Sequence, residues 1–204
     1  KGKKSNDIIH KALEILERLE HRGAVSADGK TGDGAGILID IPHDFFQAVC
    51  DFELPKVGDY AVGNIFFPRK ANQRDFCISV FEENIKKQGL KLLGWRDVPV
   101  NRSVPGRIAA ETEPFVKQIF VAKENSEQAY FEFNLKLYIA RKVTEHTIIK
   151  SKLSESKFFY VPSLSTKIII FKGLLMPLDI SLYYSDLMDS RVVTRLALVH
   201  QRFS

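Results

Sequence analysis

The segment Gly29-Lys30-Thr31-Gly32-Asp33-Gly34-Ala35-Gly36 limits what this chain can fold into more than any other stretch. Glycine lacks a β-carbon, weakens helices and strands, and tolerates positive φ. So dense a cluster predicts a turn where backbones approach closely. On its N-terminal side, Ile8, Ile9, Ala12, Leu13, Ile15, Leu16 and Leu19 recur at spacings of three and four, which gives a helix with one apolar face. Ser5 or Asn6 is the expected cap, its side-chain oxygen accepting from a free backbone N–H, and Gly23 is the expected stop. Gly36 to Ile41 reads as a buried strand ended by Pro42. The cluster is therefore expected to be a tight helix-to-strand turn.

Nucleotide motifs do not fit it. A P-loop places four residues between its first glycine and the Gly-Lys-Ser/Thr end, follows a strand and opens a helix. Here five residues separate Gly23 from Gly29, and the flanking elements come in the reverse order. Gly32, Gly34 and Gly36 do not match the dinucleotide fingerprint either. Asp33, set among glycines, is expected to accept from backbone N–H groups. Arg22, where the first helix ends, is expected to meet that helix's last carbonyls.

The remaining pattern alternates strands and helices in irregular order. Helices are expected over 43–52, 72–88 and 127–149. The second buries Phe76, Val80, Phe81 and Ile85, and the third Ala129, Phe133, Leu137, Ala140 and Val143. Strands are expected over 60–67, 90–98, 115–122 and 192–203. Those over 158–161 and 167–171 suit a hairpin through Pro162 to Thr166. Short helical or turn structure is expected over 105–113 and 177–191. Uneven crossovers argue against a doubly wound parallel sheet and for a mixed α+β fold. No linker marks a domain boundary.

Composition excludes several classes. With 204 residues, 45% hydrophobic and 27% charged, this is an ordinary globular sequence, neither fibrous nor disordered. The net charge of +5 is spread thinly, so no nucleic-acid surface is expected. No apolar run approaches the ~18 residues of a membrane span. Two cysteines, Cys50 and Cys77, make neither a disulfide framework nor a zinc site, which suits a reducing, cytoplasmic compartment. The five histidines contain no i, i+4 pair, so no metal site is expected. The first residue is Lys, and a strand pattern runs to the last residues, so a piece of a longer polypeptide is expected.

A set of segments narrows the function. They are Leu19-Glu20-His21-Arg22-Gly23-Ala24-Val25-Ser26-Ala27-Asp28, then Thr31 to Leu38, then Ile41-Pro42-His43-Asp44-Phe45-Phe46. Gly94-Trp95-Arg96, Val98-Pro99-Val100, Tyr160-Val161-Pro162-Ser163-Leu164-Ser165 and Phe171-Lys172-Gly173-Leu174-Leu175 follow, and His200-Gln201-Arg202-Phe203-Ser204 closes the series. Together, in this order, they resemble the glutaminase domain of the glutamate synthase large subunit, a class II glutamine amidotransferase.

That resemblance implies a four-layer αββα sandwich of the N-terminal-nucleophile hydrolase type, with residues 1–204 forming part of one such domain. In the family an N-terminal Cys attacks the glutamine amide, its own α-amino group serving as base. An Asn-Gly pair then stabilises the oxyanion. Neither feature matches a position here, so the resemblance implies that both lie outside these residues and that the chain alone is inactive. Arg202 matches the arginine that grips the glutamine α-carboxylate, and Ser204 the rim of that pocket. Arg22, Gly23, Asp33 and Gly34 match positions that support the active site. FMN, an iron–sulfur cluster and a small electron-transfer subunit belong, on this resemblance, to the rest of the synthase. The glutaminase domain of another amidotransferase, or a non-catalytic partner-binding module, are the alternatives.

Overall fold

The computed structural model describes residues 2–125 and 127–202. Its elements run α1 (Asp7–Arg18), β1 (Ala35–Asp40), α2 (His43–Val49), β2 (Tyr60–Phe67), α3 (Ala71–Lys87), β3 (Lys91–Asp97) and α4 (Arg107–Glu111). Then follow β4 (Phe115–Ala122), α5 (Tyr130–Lys150), β5 (Tyr160–Ser165), β6 (Ile168–Gly173), α6 (Asp179–Tyr183) and β7 (Ala197–Gln201). The chain divides into two compact units and passes repeatedly between them. One holds Lys1–Ala48, Val98–Glu113 and Ile169–Ser204; the other holds Val49–Asp97 and Pro114–Ile168.

The first unit contains a three-stranded sheet in the order β6-β1-β7. Strands β1 and β7 are antiparallel, with Ala35 opposite Gln201 and Ile39 opposite Ala197. Helix α1 rests on these strands through Ile9, Ala12, Leu13 and Leu16, while Ile15 faces water. Of the two residues expected to cap it, Ser5 supplies the accepting oxygen and Asn6 does not. The Asn6 side chain donates to the Asp189 and Val192 carbonyls, tying the helix start to a distant loop. Ser5 Oγ accepts from the Asp7 N–H at 3.1 Å.

The second unit is a four-stranded antiparallel sheet in the order β3-β4-β2-β5. Helices α3 and α5 cover one face, burying Phe67, Phe81, Phe133, Leu137 and Ile148 against Ile65, Ile119 and Val121. Each large side chain buried this way contributes roughly 1.5–3 kcal/mol. The Asn84 side chain on α3 donates to Thr144 Oγ1 on α5 at 3.1 Å, fixing the helix pair in register.

The expected α+β class holds, with corrections. Ala129 precedes α5 and is exposed, and the strand expected over 192–203 is confined to Ala197–Gln201. Phe76 is exposed and Cys77 takes its place in the core. Val143 is exposed and Thr144 is buried instead. Strands β5 and β6 belong to different sheets, so they are no hairpin. The inner faces are otherwise as expected, with Val80, Phe81 and Ile85 of α3 and Phe133, Leu137 and Ala140 of α5 buried; the misplaced residues are apolar side chains that lie off those faces.

Candidate functional site at the end of strand β7

The site assembles where β7 ends beside the turn that follows α1. A short 3₁₀ turn, Glu20–Arg22, continues α1 and brings Arg22 to the surface. The His21 ring, rather than Arg22, meets the Arg18 carbonyl at 2.9 Å. Arg22 is thereby left to line a cleft of about 420 Å³ with Leu19, His200, Gln201 and Arg202.

The glycine-rich segment folds back on itself through a bridge between Val25 and Gly32. The carboxylate that gathers backbone N–H groups there is Asp28, not Asp33. Asp28 accepts from the Lys30, Thr31 and Ile108 N–H groups and from the Thr31 hydroxyl. These donors, Ile108 first, hold its carboxyl well below the usual carboxylate range. Asp33 is released for another contact: its Oδ2 lies 3.3 Å from Arg202 Nε.

Arg202 is fixed by its backbone. Its N–H donates to the Gly34 carbonyl at 2.6 Å, and its own carbonyl meets the His200 ring at 2.8 Å. Gly34 adopts φ 120°, a conformation that an L side chain rarely takes. Arg202 itself has φ 93°, where a non-glycine residue carries strain of about 1–3 kcal/mol. Its guanidinium is 70% exposed and projects beside the cleft.

Gln201 is the residue that sequence reasoning passed over. Its Nε2 donates to the Glu20 carbonyl at 3.0 Å, clamping the turn that bears Arg22 to the strand end that bears Arg202. Gly23 makes room for this clamp, since a β-carbon there would lie 1.9 Å from Gln201 Nε2. The signals in sequence were its place in the closing segment His200 to Ser204 and the glycine next to the turn. Thus Arg22, Gly23, Asp33, Gly34 and Arg202 converge at one end of β7. Ser204 lies outside the described residues.

The family Glutamine amidotransferases class-II matches residues 1–204, and the chain belongs to it. It is 40% identical over 205 residues to the Glutamate synthase [NADPH] large chain of Bacillus subtilis, covering 100% of this chain and 13% of that protein. It is 38% identical over 215 residues to the Glutamate synthase [NADH] of Saccharomyces cerevisiae, covering 100% of this chain and 10% of that protein. With the Ferredoxin-dependent glutamate synthase 1, chloroplastic/mitochondrial, of Arabidopsis thaliana it shares 36% identity over 208 residues, 98% of this chain and 12% of that protein. The chain therefore spans only about an eighth or less of the length of these relatives.

Proposed function

We propose that the chain forms the glutamine-binding part of a glutamate synthase, releasing ammonia from glutamine for use elsewhere in the same protein. The observation that carries this reading is the placement of two guanidinium groups, Arg22 and Arg202, on one small cleft, with Asp33 beside Arg202. Free glutamine carries an α-carboxylate that a glutamine side chain within a protein lacks. A guanidinium fork meets both oxygens of such a group at once. An exposed ion pair such as Arg202–Asp33 is worth at most about 1 kcal/mol, so it aims the fork without holding it against a carboxylate ligand.

The amide-cleaving groups come, on this reading, from residues outside these 204. Cys50 and Cys77 both have their α-nitrogens in peptide bonds, so neither supplies its own amino base. Burial pushes the Cys77 thiol up to about 12, away from a working nucleophile. The chemistry then runs as in the family. The α-amino group takes the thiol proton, the thiolate attacks the amide carbon, the resulting α-ammonium returns the proton to the departing nitrogen, which leaves as ammonia, and water hydrolyses the thioester to glutamate. On this reading the complete domain is a four-layer αββα sandwich in the cytoplasm. Ammonia would pass to 2-oxoglutarate in the remaining synthase domains. Two cysteines do not fit a cluster that needs four, and among the described residues no group of three or more His, Cys, Asp or Glu is placed to hold a metal. On this reading FMN, the iron–sulfur cluster and any small electron-transfer subunit belong with those other domains.

The test is Arg202→Lys in the full-length protein. Lysine keeps the charge but loses the fork. The glutamine KM rises at least about tenfold, matching the ~1.5–3 kcal/mol of a charge-assisted contact. Glutamate synthesis from free ammonia is spared, because that route bypasses the cleft. An unchanged glutamine KM, or equal loss of both activities, overturns the assignment.

A further inference from the structure

Helix α5 is apolar on two opposite faces. Its inner face, with Phe133, Leu137, Ala140, Thr144 and Ile148, is buried against the sheet. Its outer face carries Phe131, Leu135, Tyr138 and Ile149, exposed by 79%, 45%, 58% and 72%. At 3.6 residues per turn these four positions fall within about 60° of one another, in a single stripe along the helix. Lys142 shares the stripe, but its ammonium is drawn aside to Glu145 at 2.7 Å, leaving its aliphatic stem in line. Helices that face only water carry charged residues there. Helix α3 shows the contrast, with Glu83 and Lys87 paired on its exposed surface.

We infer that the outer face of α5 is a docking surface, covered in the full-length protein by an apolar part of the same polypeptide outside these 204 residues. This rests on the synthase reading above. The relatives match this chain over its whole length while it accounts for 10–13% of theirs, so in such proteins this fold is a small part of a much longer chain. Area separates a tethered partner from a free one. The stripe offers on the order of 400 Å², whereas a stable contact between separate molecules takes about 800 Å² from each side. A second copy of the chain would therefore hold to it poorly. A segment joined covalently meets it at an effective concentration in the millimolar range, and a stripe of this size suffices. Phe131 and Tyr138 are the anchors, since rigid aromatic side chains lose little entropy on contact.

The experiment places a photoreactive group in the full-length protein through Phe131→p-benzoylphenylalanine, with Tyr138→p-benzoylphenylalanine as a second position should the first impair folding. Lys87→p-benzoylphenylalanine on α3 is the control. After irradiation and digestion, the α5 peptide is expected to be joined to a peptide from outside residues 1–204 within a single-chain mass, with no such product from the control. A product of twice the chain mass overturns the inference in favour of self-association. No cross-link at either α5 position overturns it in favour of a solvated face. Glutamine hydrolysis by the unmodified protein is measured alongside. Its absence sinks the functional reading alone, because the cross-link still reports what covers α5.

Discussion

The Gln201 side-chain amide occupies the place where Gly23 would carry a β-carbon, and from there it donates to the Glu20 carbonyl at 3.0 Å. The strand that ends just before Arg202 and the turn that ends in Arg22 are thus joined by one hydrogen bond whose formation depends on a missing side chain. The conformation of Gly23 does not itself demand glycine: φ −98° and ψ 169° are ordinary extended values. Space alone explains the residue.

Gly23→Ala should therefore cost stability through Gln201 and not through the backbone. The clash displaces the amide and breaks its bond to Glu20, a loss of about 1 kcal/mol. Gln201→Ala removes the same bond and clears the space. The two changes should then be strongly non-additive, the double variant being hardly less stable than Gln201→Ala alone. Urea denaturation of the four proteins measures this. Additive losses would show that the pair is not coupled.

Arg202→Gly should separate folding from function. Glycine relieves the strain at φ 93° and keeps the N–H that donates to Gly34. Against that gain stands the loss of the Asp33 ion pair, worth about 1 kcal/mol or less. Stability should stay within about 1 kcal/mol of the parent, while glutamine-dependent activity in the full-length protein collapses. A large drop in melting temperature would make Arg202 a residue of the scaffold.

The two thiols should differ sharply in reactivity. Cys77 is buried in the α3 core and its thiol is pushed up to about 12, while Cys50 is half-exposed at the end of α2. At pH 8 a thiol reagent should label Cys50 in the native protein and reach Cys77 only after denaturation. Rapid labelling of both would contradict the packing of Cys77 between α3 and the sheet.

Much of the fold was legible because its elements have clean periods. Strands β2 and β4 fall on the expected residues 60–67 and 115–122, where apolar runs are bounded by loop residues. The failures have a common cause. In α3 and α5, Phe76 and Val143 are apolar yet face water, and periodicity cannot assign an inner face to a helix with apolar residues on both. The site was legible by position but not by contact. Arg22 and Arg202 stand out in sequence, yet 180 residues separate them, and nothing local says that β7 runs back beside the first helix. Asp28 and Asp33 show the same limit. Both are turn aspartates, and only the fold decides which one gathers N–H groups and which meets an arginine.

Asp40 should make the first unit sensitive to acid. It ends β1 almost fully buried, and Arg195 binds it twice, Nε to Oδ2 at 3.0 Å and Nη2 to Oδ1 at 2.9 Å. The Arg195 backbone N–H adds a third bond at 2.8 Å. The guanidinium beside it outweighs the opposing effect of burial and holds the Asp40 carboxyl below its ordinary value. The unfolded chain, with its aspartates near pH 4, then takes up the proton more readily than the native one. A depressed native value means that the stabilisation is complete above about pH 4 and is lost as pH falls through the native-state titration. Asp40→Asn keeps the shape and removes the charge. At pH 7 it should lose about 1.5–3 kcal/mol, the worth of a charge-assisted hydrogen bond. Below pH 4 the gap should close, because the parent's own carboxyl is then being protonated. Denaturation at pH 7 and pH 3 on both proteins measures the two gaps. A gap of equal size at both values would show that Asp40 is held by packing and not by its charge.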